Sequence, residues 1–283
     1  MRRSVPIWAV LVAVVAVARP GEALAQARRG RGLDESRLRT SPSARPSPPV
    51  AAKRDVVLPS DDATFRPTVV IRRGTSQGTG TIIATAADSS LVLTAAHVVQ
   101  DSGPLVVELH RYNVGLEKSK GGVWPLVAPA EVAAIDESGD VAILRLREHS
   151  PLPFIARLYD DDPAGIAPGA LVVSLGVDKG ARVASWNTSL VEPARFRMAP
   201  GKDEKPFLIT LKTPAHGRSG GGLFLADGRL IGVCVGHAEI FEGSRSGVFA
   251  SLATARRLIH ARGLDAEVAR SQAAPPSPAA AAR

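Results

Sequence analysis

The sequence predicts an all-β domain of the sandwich or barrel kind, on three observations. Apolar residues recur in many short runs of strand length. Gly, Pro, Asp and Asn punctuate those runs, and only two brief stretches carry helical spacing. In chain order the expected strands are Thr68–Arg72, Gly80–Thr85, Ser90–Thr94, Leu105–His110, Glu131–Ile135, Val141–Arg147, Ala170–Leu175, Phe207–Lys212, Leu223–Leu225, Arg229–Val235 and Gly247–Ala250. The helical pieces are Ala95–Val99 and Ser251–Ala261. In the second, Leu252, Ala255, Leu258 and Ile259 recur at helical spacing behind Ser251, a residue type that caps helix N-termini. Many strands and few helices leave a sandwich or barrel as the way to bury the apolar faces.

The folded core is expected over 60–265 of the 283 residues. Residues 1–25 read as a signal peptide: Arg2 and Arg3 are followed by an uncharged apolar stretch, Ile7–Ala18, and by Ala23-Leu24-Ala25, with cleavage expected before Gln26. That stretch falls well short of the roughly 20 apolar residues a spanning helix needs. No later segment is long and apolar enough, so no stable membrane span is expected after cleavage. Residues 26–59 form an Arg/Pro/Ser-rich segment with little to bury, read as a disordered linker; the Ala/Pro-rich residues 266–283 read as a disordered tail.

Charge excludes one class of partner. The net charge of +8 looks like a nucleic-acid signal, but residues 26–59 hold eight Lys+Arg against three Asp+Glu, whereas residues 60–283 hold 24 against 23. A nucleic-acid-binding fold concentrates basic charge on itself, and this one is near neutral. The single cysteine, Cys234, lies in the apolar run Leu230–Val235, so a buried structural thiol is expected and no internal disulfide is possible. There is no CxxC, no HExxH and no other Cys/His cluster; His110, His149 and His260 have no partners at ligand spacing. No metal and no organic cofactor are therefore expected.

Three segments carry chemistry together. In Leu91-Val92-Leu93-Thr94-Ala95-Ala96-His97, an apolar strand ends in two small residues that allow close packing beneath an imidazole. In Ser138-Gly139-Asp140-Val141-Ala142-Ile143-Leu144, an aspartate sits at the mouth of an apolar strand, where a buried carboxylate could accept a histidine Nδ1–H. Asp136 competes for that role, and Asp140 is preferred because the strand follows it directly. In His216-Gly217-Arg218-Ser219-Gly220-Gly221-Gly222, glycines permit positive φ and close approach around one serine. The amides of Gly217 and Ser219 could then converge on one oxygen as an oxyanion hole. The order His, Asp, Ser is one of the few in which this triad occurs.

The segments "LTAAHV", "GDVAILRL" and "GRSGGGLF" resemble the three motif blocks of chymotrypsin-like serine proteases, in wording most like the bacterial Deg-type (HtrA-like) branch. The likeness runs from about Pro67 to Ile259 and includes "GTGTII", "GRLIGVCVG" and "SGVFASLATARRLI". It implies two packed six-stranded antiparallel β-barrels with a C-terminal helix, acting as a secreted or periplasmic serine endopeptidase on protein or peptide substrates. His97 would be the general base, Asp140 its orienting residue and Ser219 the nucleophile. By the same resemblance, Thr213 lies at the base of the primary pocket and Gly236 and Gly247 line its walls. Val235, Gly236 and His237 form the strand that pairs with substrate, and His216 sits at the rim. A neutral Thr213 implies an uncharged, small or medium residue before the scissile bond.

Two departures stand out. The trypsin branch carries an aspartate before the serine, which pairs with a freshly cut N-terminus; here that residue is Arg218, which cannot accept an ammonium. Arg218 is expected to point away from substrate, toward solvent or a local acceptor. Deg-type proteases usually carry PDZ domains after the protease domain, and the residues after the closing helix are too few for one. The alternative reading is a catalytically silent protease-fold binding protein, which would have no need of all three triad residues.

Overall fold

The structure is a computed structural model describing residues 61–116, 121–147, 151–180, 182–241 and 244–273. The expected leader, the linker and His149 lie outside these residues. Six strands form the first barrel: β1 (Thr68–Arg73), β2 (Ser76–Thr85), β3 (Ser89–Thr94), β4 (Leu105–Leu109), β5 (Leu126–Asp136) and β6 (Val141–Arg147). They close in the order β1-β2-β3-β6-β5-β4, every pairing antiparallel. After a two-residue strand, β7 (Arg157–Leu158), the second barrel follows: β8 (Leu171–Val177), β9 (Val183–Phe196), β10 (Lys205–Thr210), β11 (Gly222–Leu225), β12 (Arg229–Phe241) and β13 (Ser244–Ser251). Its order is β8-β9-β10-β13-β12, closed by β11, which pairs with both β12 and β8; β7 adds to β12 in parallel. Both barrels thus run first-second-third-sixth-fifth-fourth, the two-barrel architecture the resemblance implies.

The uninterrupted apolar strands lie where the barrels meet. A strand sends alternate side chains to opposite faces. In β3, Val92 points into the first barrel with Ile82 and Leu144, while Leu91 and Leu93 enter a second cluster shared with Leu175, Phe207, Phe224 and Val233 of the other barrel. β6 does the same, with Ala142 and Leu144 inside and Val141 and Ile143 at the seam. Both faces are buried, so the alternation that marks a half-exposed strand is missing. The second barrel has its own interior of Val172, Leu190, Leu208, Ile231 and Phe249.

Helix α1 (Leu252–Ala261) begins as expected behind Ser251, whose Oγ accepts the Ala253 N–H at 3.3 Å. It sets Leu252, Ala255, Leu258 and Ile259 into the cluster at the seam. The domain does not end at residue 265. A second helix, α2 (Asp265–Ala273), carries the chain back across the first barrel, so the expected disordered tail 266–283 is corrected: its first eight residues are helical, and 274–283 lie outside the described residues. α2 buries little beyond Val268 and Ser271 and is held by polar contacts. Glu267 makes a two-pronged pair with Arg145 at 3.0 and 2.9 Å. Gln272 Nε2 donates to the carbonyls of Ile83 and Ala156, both at 2.9 Å, and its Oε1 accepts the Leu158 N–H at 3.0 Å.

Gln272 therefore satisfies three backbone groups around the connection between the barrels. Gln272→Ala leaves them without that partner. The expected loss of stability is about 1–3 kcal/mol, read as a lower urea midpoint with unchanged slope; an unchanged midpoint would show that α2 is not part of the cooperative fold.

Candidate active site

His97 and Asp140 meet because β3 pairs with β6. The register puts Thr94 opposite Ala142, so the residues just beyond these two strand ends lie side by side. Past Thr94 the chain turns through Ala95 into a short 3₁₀ turn, Ala96–Val99, with both alanines fully buried beneath the imidazole-bearing backbone. Asp140 Oδ1 accepts the His97 main-chain N–H at 2.9 Å, and its Oδ2 lies 2.6 Å from His97 Nδ1. The Asp140 carbonyl accepts the Ala96 N–H at 3.2 Å. The carboxylate thus fixes both the backbone and the ring of the histidine, and favours the tautomer with its lone pair on Nε2.

Asp140 sits in the left-handed region, at φ 52°, which costs a non-glycine residue roughly 1–2 kcal/mol. Two hydrogen bonds to its charged carboxylate, at about 1.5–3 kcal/mol each, outweigh that. The competitor, Asp136, serves the turn instead. Its Oδ1 accepts the N–H groups of Ser138 and Gly139 at 3.0 and 3.1 Å, and its Oδ2 takes Lys205 Nζ at 2.9 Å. Burial alone would lower the His97 pKa, but the hydrogen bond and charge of Asp140 more than reverse this, and it lies above the ordinary 6.5.

The serine loop is anchored by its carbonyls. Ser219 O accepts the Thr79 N–H at 2.8 Å, Gly217 O the Thr79 Oγ1–H at 2.9 Å, His216 O the Lys179 N–H at 2.6 Å and Arg218 O the Gly221 N–H at 2.8 Å. The Gly220 N–H donates to Cys234 O at 2.7 Å. Neither the Gly217 nor the Ser219 N–H donates to a protein acceptor among the described residues. Gly217 and Gly220 have φ of 92° and 83°, and a Cβ on Gly220 would collide with the Thr79 carbonyl and Thr94 Oγ1. The loop therefore abuts the strand end that leads into His97. On the other side, a Cβ on Gly78 would meet Ser219 O and both methyls of Val98.

Thr79 is a site residue that the sequence did not expose. Its hydroxyl accepts the Val177 N–H at 2.9 Å while donating to Gly217, and its carbonyl accepts from Thr94 Oγ1 at 2.7 Å. A threonine between two glycines in a buried strand was the available signal. Arg218 takes the second of its two expected directions, the local acceptor: it is fully buried. Its guanidinium makes a bidentate pair with Asp178 at 2.8 and 2.7 Å, donates to the Ser174 and Ala184 carbonyls, and lies 4.8 Å over the Trp186 ring. Breaking a buried pair by removing one partner typically costs about 3–5 kcal/mol.

The remaining predicted residues gather at one end of the second barrel. Gly247 lies between Thr210 of β10 and His237 of β12, and Gly236 is opposite Val248. A Cβ on Gly247 would collide with Thr210 Oγ1 and the Lys212 carbonyl, so this glycine lets β13 lie against the segment carrying Thr213. Thr213 Oγ1 donates to the Arg245 carbonyl at 2.8 Å. Open space lies above Gly236, Val235 is buried, and His216 and His237 are exposed. Cys234 is buried directly behind the loop with its thiol pushed up to about 12 by burial, so it stays protonated and unreactive. Among the described residues, no group of three or more His, Cys, Asp or Glu side chains could hold a metal ion.

A histidine turn from one barrel, set by a buried carboxylate and met by a glycine-shaped serine loop from the other, defines the chymotrypsin-like class. Residues 78–233 match the trypsin-like peptidase domain, and the chain belongs to that serine-protease family. It is 29% identical over 186 residues to a probable periplasmic serine endoprotease, DegP-like, of Pseudomonas fulva (strain 12-X), covering 65% of this chain and 33% of that protein. The chain thus spans about a third of the length of that relative. Among solved structures, the active form of the Rv3671c protease of M. tuberculosis superposes with a TM-score of 0.56 at 24% identity, over 70% of this chain and 81% of that one. The MamO protease domain of Magnetospirillum magneticum gives 0.53 at 18%, over 68% and 95%. At these identities the two structures speak for the fold.

The Asp140–His97 contact makes a titration prediction. In an NMR titration His97 should protonate with a midpoint above 6.5, and Asp140→Asn should lower it, because burial then acts without the opposing charge. A midpoint that does not fall would mean that Asp140 does not set the histidine's charge.

Proposed function

We propose that this chain is an exported serine endopeptidase that hydrolyses peptide bonds through Ser219, His97 and Asp140. The observation that carries the reading is the 2.6 Å contact between Asp140 and His97 Nδ1, in a turn that abuts the serine loop. His97 Nε2 takes the Ser219 hydroxyl proton as Oγ attacks a peptide carbonyl, and Asp140 stabilises the imidazolium. The Gly217 and Ser219 amides receive the oxyanion. His97 then protonates the leaving amine, and water hydrolyses the acyl-enzyme. Substrate backbone pairs along Val235–His237, with an uncharged side chain directed toward Thr213 between Gly236 and Gly247, and His216 at the rim. Export rests on the leader pattern of residues 1–25 and on the word periplasmic in the name of the DegP-like relative. Among the described residues, no helix is long and apolar enough to cross a membrane.

Ser219→Ala and His97→Ala should each lower turnover on a casein-type substrate by on the order of 10⁴–10⁶ while the protein stays folded, since triad members act as a unit. A fluorophosphonate probe should label the parent at Ser219. Absence of both labelling and cleavage would favour the silent binding protein. The base must be neutral, so kcat/KM should rise with pH through the raised pKa of His97 and stay high in mild alkali. An optimum near pH 4 would exclude the mechanism.

Arg218 adds a further expectation. A guanidinium in this position cannot pair with a newly cut α-ammonium, so no free terminus is needed to assemble the loop. Acetylating the α-amino group of the purified protein should leave turnover unchanged; losing most of it would show that a terminus does assemble the site.

A further inference from the structure

We infer that the Arg218–Asp178 pair holds the oxyanion loop in its working conformation, which makes Arg218 a positioning residue; the inference rests on the peptidase reading above. Arg218 is the residue between the two amides that the mechanism needs, so the path of its backbone sets their relative direction. Its side chain is fully buried and its three nitrogens are all engaged. Nε and Nη2 grip the two carboxylate oxygens of Asp178, Nη1 donates to Ser174 O at 2.9 Å and lies 3.2 Å from Ser174 Oγ, and Nη2 also donates to Ala184 O at 3.2 Å. Trp186 covers the guanidinium face. A planar fork bound to a carboxylate fixes orientation as well as position. With the guanidinium fixed and the stem buried, rotation of the 217–219 backbone has to strain the stem or break part of this set.

The partners of that fork belong to one hairpin. Ser174 and Ala184 lie on β8 and β9, and Asp178 sits in the turn between them. The same turn makes a second hold on the loop, from the Lys179 N–H to the His216 carbonyl. Gly217 packs so tightly on it that a Cβ would lie 2.9 Å from Val177 O. The β8–β9 hairpin thus grips the loop from the second barrel, as Thr79 grips it from the first. In the trypsin branch a carboxylate on the loop awaits a cation from elsewhere. Here the polarity is reversed: the cation is on the loop, and the carboxylate is already present in the adjoining hairpin.

The test uses the full chain with Asp178→Asn, Arg218→Lys and Arg218→Met, with active sites counted by fluorophosphonate end-point labelling and turnover measured on a peptide ester. Per labelled site, kcat should fall by on the order of 10²-fold in Asp178→Asn and Arg218→Met, as when one oxyanion donor is lost. KM should stay within about threefold, and the acid limb of the pH profile should not move, because His97 is untouched. Arg218→Lys keeps the charge but not the fork and should fall between parent and Arg218→Met. Amide exchange in residues 215–221 should quicken in step with the loss of kcat. Should the Arg218 variants fail to fold, Asp178→Asn, altered at a partly exposed carboxylate, decides alone. A lower melting temperature with parental kcat per labelled site would make the pair merely structural and overturn the inference. A shifted acid limb would also overturn it, by tracing the effect to His97. A parent that is neither labelled nor active would remove the peptidase reading and this inference with it, whereas an active parent with unaffected variants sinks the inference alone.

Discussion

The proposed site depends on one constraint: the 217–221 loop is anchored on several sides while, among the described residues, the Gly217 and Ser219 amides have no protein acceptor. A backbone segment ordinarily becomes rigid by pairing its donors and acceptors, and a donor left without a partner away from water costs about 1–3 kcal/mol. The loop meets the conflict by using its other groups. The carbonyls of His216, Gly217, Arg218 and Ser219 all accept hydrogen bonds, the Arg218 side chain is tied into the β8–β9 hairpin, and the Gly220 N–H reaches Cys234. Among the described residues, the loop donors left without a protein acceptor are those of Gly217 and Ser219. Glycine is required at 217 and 220 because these anchors bend the chain into positive φ against neighbouring backbone.

This constraint accounts for what the sequence revealed and what it hid. The strands at the seam, β3 and β6, were readable because burial on both faces makes them continuous apolar runs, and the residues meant to meet lie just beyond their paired ends. Helix α1 was readable from Ser251 and its apolar spacing. Strand β9 was not. Its sequence Val183–Phe196 is half-buried and mixes Trp186, Asn187, Glu192 and Pro193, and the proline sits beside a register shift against β10, where a strand tolerates it. Helix α2 was hidden for a related reason: Gln272, Glu267 and Ser271 hold it, and polar contacts leave no apolar period. The role of Thr79 depends on a partner 138 residues away, which no local pattern reports.

Arg218 shows how a single residue type can be read correctly in sign and only partly in place. Its charge excludes pairing with an ammonium, and that much follows from the sequence. Its burial does not, because a lone arginine in a glycine-rich loop is ordinarily solvated. The fold makes burial possible through Asp178, two carbonyls and the Trp186 face, which together replace the water that the guanidinium loses. Asp178 and Trp186 lie in the stretch where the sequence showed no strand pattern, so the missed hairpin and the missed lock are the same omission.

The two barrels share a topology but divide the work, and each holds the other's contribution in place. The serine loop of the second barrel is gripped by Thr79 of the first. The turn that presents Asp140 in the first barrel is gripped by the second: Lys205 of β10 pairs with Asp136 at 2.9 Å, and the Asp203 N–H reaches Ser138 Oγ at 3.3 Å. The outlying Lys202–Glu137 contact at 2.6 Å is exposed and adds little, as surface pairs do. Lys205 and Asp136 are mostly shielded, and Asp136 also closes the turn that leaves Asp140 at φ 52°. Each barrel thus supplies contacts to the other's half of the site. A displacement at the seam would loosen the carboxylate that sets His97 and the carbonyl anchors of Ser219 together, so the packing of Leu91, Leu93 and Ile143 against Phe207, Phe224 and Val233 is part of the site's geometry.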